Sequence, residues 1–145
     1  MAKTTESMTI IVIDDEPHNI LWLIDFLESK KFKVELASNV VDSLTSVERE
    51  IFRALIIDLN IPVSDPYKKA ISDRGGVYAK YPGLFVAEKA RNRGYMDRQV
   101  VIYSVHKDPA VADEARKLGC TYILKGRPKE IKEEIGDIIS YDPTQ

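Results

Sequence analysis

The chain alternates between short, uniformly apolar runs and longer segments in which apolar residues recur every three or four positions. Short runs are typical of strands buried on both faces, and the longer spacing is typical of helices that bury one side. The pattern predicts strands at residues 8–13, 32–36, 54–57, 100–103 and 122–124, with helical segments between them and after the last. Joined by right-handed crossovers, these elements predict an α/β fold with a doubly wound, five-stranded parallel sheet covered by helices on both faces.

Residues that start and end helices support this division. Pro17 and Pro128 suit the first turn of a helix, and Asn39 suits the cap of the helix that follows the second strand. Asp108 and the proline after it predict a further helix start, and Gly119 predicts its end. The second strand alternates with charged residues, so we expect it at an edge of the sheet.

The composition excludes several classes of partner. With 145 residues, 44% of them hydrophobic, the chain can bury a core as one domain without disulfides or metal. A formal net charge of -2 gives no basic field for general binding to nucleic acid or to an anionic membrane, and no segment approaches a membrane span. The single cysteine, Cys120, excludes an internal disulfide and favours a reducing compartment, so we expect the cytoplasm.

Polar residues follow four of the five predicted strands. Asp14 and Asp15 follow the first strand, Asp58 the third, Ser104 the fourth and Lys125 the fifth. The carboxyl ends of parallel strands share one edge of the sheet, so we expect these side chains to lie close together. One such aspartate is consistent with a turn cap, and the second strand that ends in acids favours a functional site.

Three neighbouring carboxylates repel each other, by about 4 kcal/mol per pair at 4 Å with an effective dielectric constant near 20. We therefore expect counter-charges, from Lys125 and from a divalent cation. Oxygen ligands without a His or Cys pair favour Mg2+ over zinc. Such a set suits phosphoryl transfer to an aspartate, because the cation and the lysine withdraw charge from the phosphoryl oxygens while the carboxylate attacks in line.

The hydrophobic pattern is interrupted at residues 61–83, where about 23 residues show no strong period, although connections beyond about 12 to 15 residues are uncommon. We interpret residues 1–145 as one domain, with a core at about 8–140 and an insertion at about 61–83. The insertion carries three tyrosines and an excess of two positive charges, and it leaves the strand that ends at Asp58. We expect it to lie over the site as a lid or to dock a partner; the alternative is a mobile surface excursion.

The motifs around the strand ends resemble those of CheY-like receiver domains of two-component response regulators. The resemblance covers nearly the whole chain apart from the insertion, and it implies a flavodoxin-like sheet with strand order 2-1-3-4-5. The motifs are, in chain order, IIVIDDEP at 10–17, ALIIDLNIP at 54–62, GLFVAEKAR at 83–91, VVIYS at 100–104, and Ala115 to Gly119 followed by YILK at 122–125.

The resemblance implies partners and residue roles. The partners would be a histidine kinase or a histidine phosphotransfer protein, an unknown output protein and, for a homodimer, a second copy of the chain. The chain would not be an enzyme beyond phosphorylation and dephosphorylation of its own aspartate. The roles are phosphoacceptor (Asp58), Mg2+ ligands (Asp14, Asp15, Asp58 and the backbone carbonyl of Asn60), groups that bind the phosphoryl oxygens (Ser104 and Lys125) and the aromatic residue that turns inward after phosphorylation (Tyr122).

The sequence departs from the receiver pattern near the site. Gly126 and Arg127 separate Lys125 from the proline that usually follows it directly, so we expect a different lysine-positioning turn. Val105 is larger than the small residue usual after the hydroxyl, and we expect it to hinder phosphodonors or attacking water. His106, the next residue, is expected in a solvated turn near the pocket mouth.

Two other functions remain open. A pseudo-receiver would keep the fold and bind a partner without phosphorylation, and the full set of acids, hydroxyl and lysine argues against it. A Mg2+-dependent phosphohydrolase with an aspartyl nucleophile typically needs a second carboxylate two residues after the first, and that position holds Asn60.

Overall fold

The computed structural model describes residues 4–105, 107–126 and 128–144. The predictions for His106 and Arg127 fall outside the described residues. Within them, one parallel sheet has the strand order β2-β1-β3-β4-β5, which confirms the predicted class, the predicted order and the edge position of β2. The strands are β1 (Glu6–Ile13), β2 (Lys33–Ala37), β3 (Phe52–Ile57), β4 (Val100–Ser104) and β5 (Thr121–Leu124).

Helices connect the strands, and their caps follow the predictions. The side chains of Asn39 and Asp108 accept hydrogen bonds from the N–H groups of Asp42 and Ala110 at 2.8 and 2.9 Å. None of the helices in the described part of the chain is long and apolar enough to cross a bilayer. The helices are α1 (Leu21–Ser29), α2 (Val40–Arg49), α3 (Tyr67–Arg74), α4 (Gly76–Lys80), α5 (Gly83–Arg93), α6 (Pro109–Leu118) and α7 (Pro128–Ser140), with 3-10 turns at Pro17–Ile20 and Asp97–Gln99.

Alternating side chains along the strands build a core on each face of the sheet. In β3, Leu55 and Ile57 pack with residues of α2, α5 and α6, whereas Ala54 and Ile56 pack with residues of α1 and α7. All four are at most 2% exposed, and burial of each large aliphatic side chain stabilises the fold by about 1.5–3 kcal/mol. Burial on both faces fixes β3, so Asp58, the next residue, is held at the carboxyl edge of the sheet.

The insertion at residues 61–83 is folded and contains α3 and α4. Its residues Ile71, Tyr78 and Tyr81 are 3%, 5% and 4% exposed and belong to the core on the side of α5 and α6. The segment is therefore a packed part of the fold, which argues against the alternative of a mobile surface excursion.

Polar contacts fasten the insertion to α5, to α6 and to Asp108, the cap of α6. Within the insertion, the guanidinium of Arg74 lies 4.0 Å from the ring centroid of Tyr78. The Arg74 side chain is 41% exposed, so its ion pair with Glu88 of α5 contributes at most about 1 kcal/mol to stability. The buried tyrosines hold the segment more firmly. The contacts are Arg74 to both carboxylate oxygens of Glu88 at 2.6 and 2.7 Å, the Tyr78 hydroxyl donating to Glu114 at 2.6 Å, and the Tyr81 hydroxyl donating to Asp108 at 3.2 Å.

The insertion leaves from and returns to the backbone beside Asp58. Gly83, the first residue of α5, donates its N–H to the carbonyl of Leu59 at 3.0 Å. A Cβ on Gly83 would overlap the carbonyl oxygen of Asp58 and would lie 2.8 Å from the Cα of Leu59. The close approach of the two ends of the insertion therefore requires glycine at this position.

We predict that Gly83→Ala lowers the free energy of unfolding by about 1–3 kcal/mol, because the added methyl group must displace the backbone beside Asp58. Gly136→Ala in α7 is the matched control, since its Cβ would meet the Cζ of Phe26 at an ordinary 3.8 Å. This control is expected to raise stability by about 0.5–1 kcal/mol. Urea unfolding measures both, and a Gly83→Ala protein as stable as wild type would contradict the prediction.

Candidate functional site

Several side chains that point to the same face of the sheet meet at its carboxyl edge. Val12, Ile56 and Ile123 pack in the core on the side of α1 and α7, and side chains two residues apart on a strand point to the same face. The residues two positions further along are Asp14, Asp58 and Lys125. On β4 the residue of the same parity is Tyr103, which also belongs to the α1 and α7 core.

Backbone hydrogen bonds extend the sheet up to the two central acids. The N–H of Asp58 donates to the carbonyl of Ile13 at 2.8 Å, and the N–H of Asp14 donates to the carbonyl of Ala37 at 3.0 Å. Asp14 and Asp58 are 5% and 8% exposed. The sheet therefore fixes both carboxyl groups at a buried edge, where their charges are weakly screened.

Lys125 lies between the two acids. Its Nζ is 3.3 Å from Oδ2 of Asp14 and 3.7 Å from Oδ2 of Asp58. The backbone N–H of Lys125 donates to the carbonyl of Ser104 at 2.7 Å, which anchors the start of the side chain to β4. The prediction that this lysine is paired with the strand-end acids is confirmed.

The protonation of Asp58 reflects these neighbours. Burial raises the pKa of its carboxyl group above the ordinary value, and the charges of Asp14 and Asp15 add to the rise. The positive charge of Lys125 and a hydrogen bond from the Asn60 backbone oppose it. Burial therefore disfavours the ionised carboxylate of Asp58, and the charge of Lys125 is the main effect that stabilises it.

The three acids fit a divalent cation. One carboxylate oxygen from each of Asp14, Asp15 and Asp58 lies within 4.8 Å of the others, and Asp15 is exposed to solvent. Buried and exposed oxygen donors together suit a hard cation that keeps part of its water shell, as Mg2+ does. Asn60 lines the same cavity, and the role of its carbonyl as a ligand stays a prediction.

An open cavity of about 490 Å3 surrounds these groups. It has room for a cation, a phosphoryl group and several waters, since a water occupies about 30 Å3 of liquid. None of the described residues from 61 to 83 lines it, so the insertion does not cover Asp58 in this structure, and its expected role as a lid or docking surface stays a prediction. The lining residues are Asp15, Glu16, Asn19, Ile20, Trp22, Asp58, Asn60, Tyr103, Val105, Lys125 and Gly126.

Two aromatic residues of this cavity were missed from the sequence. Trp22 follows the helical period of the first helix, and Tyr103 occupies a buried strand, so both match ordinary core positions. The Nζ of Lys125 lies 5.0 Å from the ring centroid of Tyr103. Burial raises the pKa of the Tyr103 hydroxyl to about 12, and the charges of Asp14 and Asp58 contribute.

Ser104 does not join the cavity. Its side chain is fully buried, and it is absent from the described residues that line the space beside Asp58. The cause is parity, because Ser104 follows Tyr103 and therefore points to the opposite face of the sheet. Contact between its hydroxyl and a group on Asp58 requires a change in the backbone of residues 104 and 105, and the proposed role stays a prediction.

Val105 and Tyr122 occupy different surroundings. Val105 is 66% exposed and lines the cavity, consistent with the expected hindrance at its mouth. Tyr122 is partly buried against the core on the α5 and α6 side and lies outside the described cavity lining. Burial raises the pKa of the Tyr122 hydroxyl, and a hydrogen bond from the Asp108 backbone opposes this. Its role as a switch stays a prediction.

Solved structures of receiver domains share this fold. A CheY-like receiver domain protein from Methanospirillum hungatei JF-1 has a TM-score of 0.69 at 20% identity, covering 91% of this chain and 93% of that one. A response regulator from Thermotoga maritima has a TM-score of 0.67 at 22% identity, covering 93% and 99%. The receiver domain of a sensor histidine kinase from Pseudomonas aeruginosa PAO1, solved with a magnesium ion coordinated in its active site cleft, has a TM-score of 0.62 at 17% identity, covering 97% and 100%.

Sequence comparison gives a shorter match. The sensor histidine kinase RcsC of Salmonella typhimurium is 31% identical over 67 residues, which make up 46% of this chain and 7% of that protein. The chain therefore spans only a small part of the curated relative that it matches. No family model matches the chain. The structural neighbours establish that the chain has the fold of CheY-like response-regulator receiver domains.

The raised pKa of Asp58 predicts how stability depends on pH. Because the folded-state pKa lies above the unfolded value, ionised Asp58 lowers the free energy of unfolding at neutral pH, and protonation at lower pH removes this penalty. We expect Asp58→Asn to be more stable than wild type at pH 7 without Mg2+, with a difference that shrinks as the pH falls through the raised pKa of Asp58 and is lost below about 4, the unfolded-state value. Chemical unfolding across this range measures it, with Asp25→Asn on the exposed side of α1 as control. A lower stability of Asp58→Asn at pH 7 would contradict the assignment.

A second prediction concerns the metal. Asp15→Ala is expected to weaken Mg2+ binding by roughly tenfold or more, the cost commonly found even for residues that only support a metal ligand. Without metal, the stability should rise or stay unchanged, because a repulsive charge is removed. Trp22, the single tryptophan of the chain, lines the cavity and provides a fluorescence signal for the titration. Asp25→Ala is the control, and unchanged affinity in Asp15→Ala would remove Asp15 from the ligand set.

Proposed function

We propose that this chain is the phosphoacceptor receiver domain of a two-component response regulator. Asp58 accepts a phosphoryl group, with Mg2+, from a histidine kinase or a histidine phosphotransfer protein in the cytoplasm. The observation that supports this most directly is the cluster of Asp14, Asp15 and Asp58 within 4.8 Å, with Lys125 bridging two of them at the carboxyl edge of a receiver-type sheet. The phosphorylated state then changes contacts with an output protein or with a second copy of the chain.

The chemistry follows from the groups present. A carboxylate oxygen of Asp58 forms a bond to phosphorus while the bond from phosphorus to the imidazole nitrogen of the donor breaks. The electron pair of the broken bond stays on that nitrogen, and the donor leaves as a neutral imidazole because its other ring nitrogen carries a proton. Hydrolysis reverses the state, because water attacks the phosphorus, the bond to Asp58 breaks and the carboxylate is restored as phosphate leaves with the proton.

Residues of the chain prepare Asp58 for this attack. Lys125 favours the ionised carboxylate against its desolvation, and its Nζ can pair with a phosphoryl oxygen once negative charge arrives. The sheet holds Asp58 rigidly through the bond from its N–H to Ile13, so little reorganisation is needed at the moment of transfer. Mg2+ held by Asp14, Asp15 and Asp58 supplies charge withdrawal from the phosphoryl oxygens.

The open cavity supports a macromolecular donor. The described part of the insertion leaves the site uncovered, and Asn19, Trp22 and Val105 line the same open cavity as Asp58. A phosphohydrolase mechanism is disfavoured because the position two residues after Asp58 holds Asn60, which has no carboxylate to act as acid and base.

The pseudo-receiver remains the second candidate, and one observation favours it. The hydroxyl of Ser104 is fully buried on the opposite face of the sheet from Asp58, so one expected phosphoryl ligand is out of place. In that case the acids and Lys125 would serve only to hold the surface that binds a partner.

Phosphorylation by a small acyl phosphate separates the two candidates. With Mg2+ and acetyl phosphate, intact-mass spectrometry should show one added phosphoryl group on the wild-type protein and none on Asp58→Asn or without Mg2+. Asp25→Asn should be modified like wild type, which controls for loss of an exposed aspartate. An unmodified wild-type protein that binds Mg2+ would favour the pseudo-receiver, and modification of Asp58→Asn to the wild-type extent would overturn Asp58 as the acceptor.

A further inference from the structure

Tyr103 lines the cavity, and the proposed roles do not use it. It lies on β4, on the same face of the sheet as Asp14 and Asp58, and it is 3% exposed. It nevertheless lines the cavity beside Asp58. A residue that is nearly buried and still borders this space must present part of its ring or its hydroxyl to it.

The surroundings of Tyr103 suit a donor for an anion. The Nζ of Lys125 lies over its ring, 5.0 Å from the centroid, which fixes the ring and the lysine relative to each other. Among the described residues, the hydroxyl has no hydrogen-bond partner, and its charged neighbours are Asp14 and Asp58. The one enclosed side-chain polar atom without a partner in the described part of the chain is Arg53 Nε, so the Tyr103 hydroxyl is not enclosed and is free to donate to a group bound between it and Asp58.

Packing in the core explains why position 103 holds an aromatic ring, but it does not explain the hydroxyl of Tyr103. Tyr103 belongs to the core that contains Val101, Ile123 and Ile131, and a phenylalanine ring would fill the same space. The fully buried Ser104 points to the other face of the sheet, so Tyr103 is the residue of β4 that carries a hydroxyl on the face of Asp58.

We propose that the hydroxyl of Tyr103 donates a hydrogen bond to an oxygen of the phosphoryl group carried by Asp58, next to Lys125. This inference rests on the proposed function of Asp58. Tyr103 thereby contacts the phosphoryl group directly, without the change in backbone that Ser104 requires. Its contact is to the phosphoryl oxygens and not to the cation, which separates its role from that of the acids.

The test is Tyr103→Phe, which keeps the ring and its contact with Lys125 and removes only the hydroxyl. Beryllofluoride, a phosphoryl analogue that binds an aspartate, is titrated with Mg2+ and followed by Trp22 fluorescence and by calorimetry. We expect the beryllofluoride affinity of Tyr103→Phe to fall about tenfold, the usual effect of losing a hydrogen bond to a charged group. Its affinity for Mg2+ alone and its thermal stability should match wild type.

Tyr67→Phe is the matched control, because it removes a hydroxyl from a partly buried tyrosine of the insertion outside the described cavity lining. It should bind beryllofluoride like wild type. Equal or tighter binding by Tyr103→Phe would overturn this inference and leave the proposed function intact, as would a loss of Mg2+ affinity and stability that accounts for the whole effect. If wild type binds no beryllofluoride and gains no phosphoryl group, the proposed function fails, and this inference fails with it.

Discussion

The close approach of Asp14 and Asp58 is the constraint on which the rest of the site depends. Two such charges 4 Å apart repel by about 4 kcal/mol at an effective dielectric constant near 20, and both lie at a nearly buried edge. The sheet holds them there through backbone hydrogen bonds from Asp58 to Ile13 and from Asp14 to Ala37. Lys125 offsets part of the repulsion at 3.3 and 3.7 Å, and the two cores around the sheet supply the remaining stability. The carboxylates therefore repel each other while the backbone holds them in place. This arrangement favours binding of a cation, which offsets the repulsion, and then of a charged phosphoryl group.

The insertion is built on the same backbone and yet leaves the site open. Its ends meet at Leu59 and Gly83, directly beside Asp58, and its helices pack towards α5 and α6. Tyr81 and Lys80 of the insertion both approach the carboxylate of Asp108, at 3.2 and 3.8 Å, and the backbone of Asp108 contacts Tyr122. A contiguous set of contacts thus runs from the insertion to the start of α6 and to β5.

Much of the fold and of the site follows from local patterns in the sequence. Strand runs and caps such as Asn39 gave the order of elements, and acids at strand ends gave the cluster, because both depend on short-range chemistry. The helices of the insertion were missed because α3 buries only Ile71 and is held by distant partners, of which Glu88 is the clearest. The placement of Ser104 was missed for a different reason. Its position at a strand end indicated the site. Because it directly follows Tyr103, however, its side chain points to the opposite face of the sheet.

The face to which a hydroxyl of β4 points also affects how the site changes conformation on phosphorylation. A hydroxyl on the face opposite Asp58, as Ser104 is, reaches a phosphoryl group only if the backbone after β4 moves, so binding the group and moving the backbone are tied together. A hydroxyl on the same face, as that of Tyr103 is, needs no such motion, and on our proposal it stabilises the phosphoryl group in the conformation seen here. If the shifted conformation keeps this contact, the contact leaves the ratio of the two conformations unchanged, since only differential interactions shift a population. Tyr103 would set how firmly the group is held, whereas Ser104 would set how far the group moves the chain.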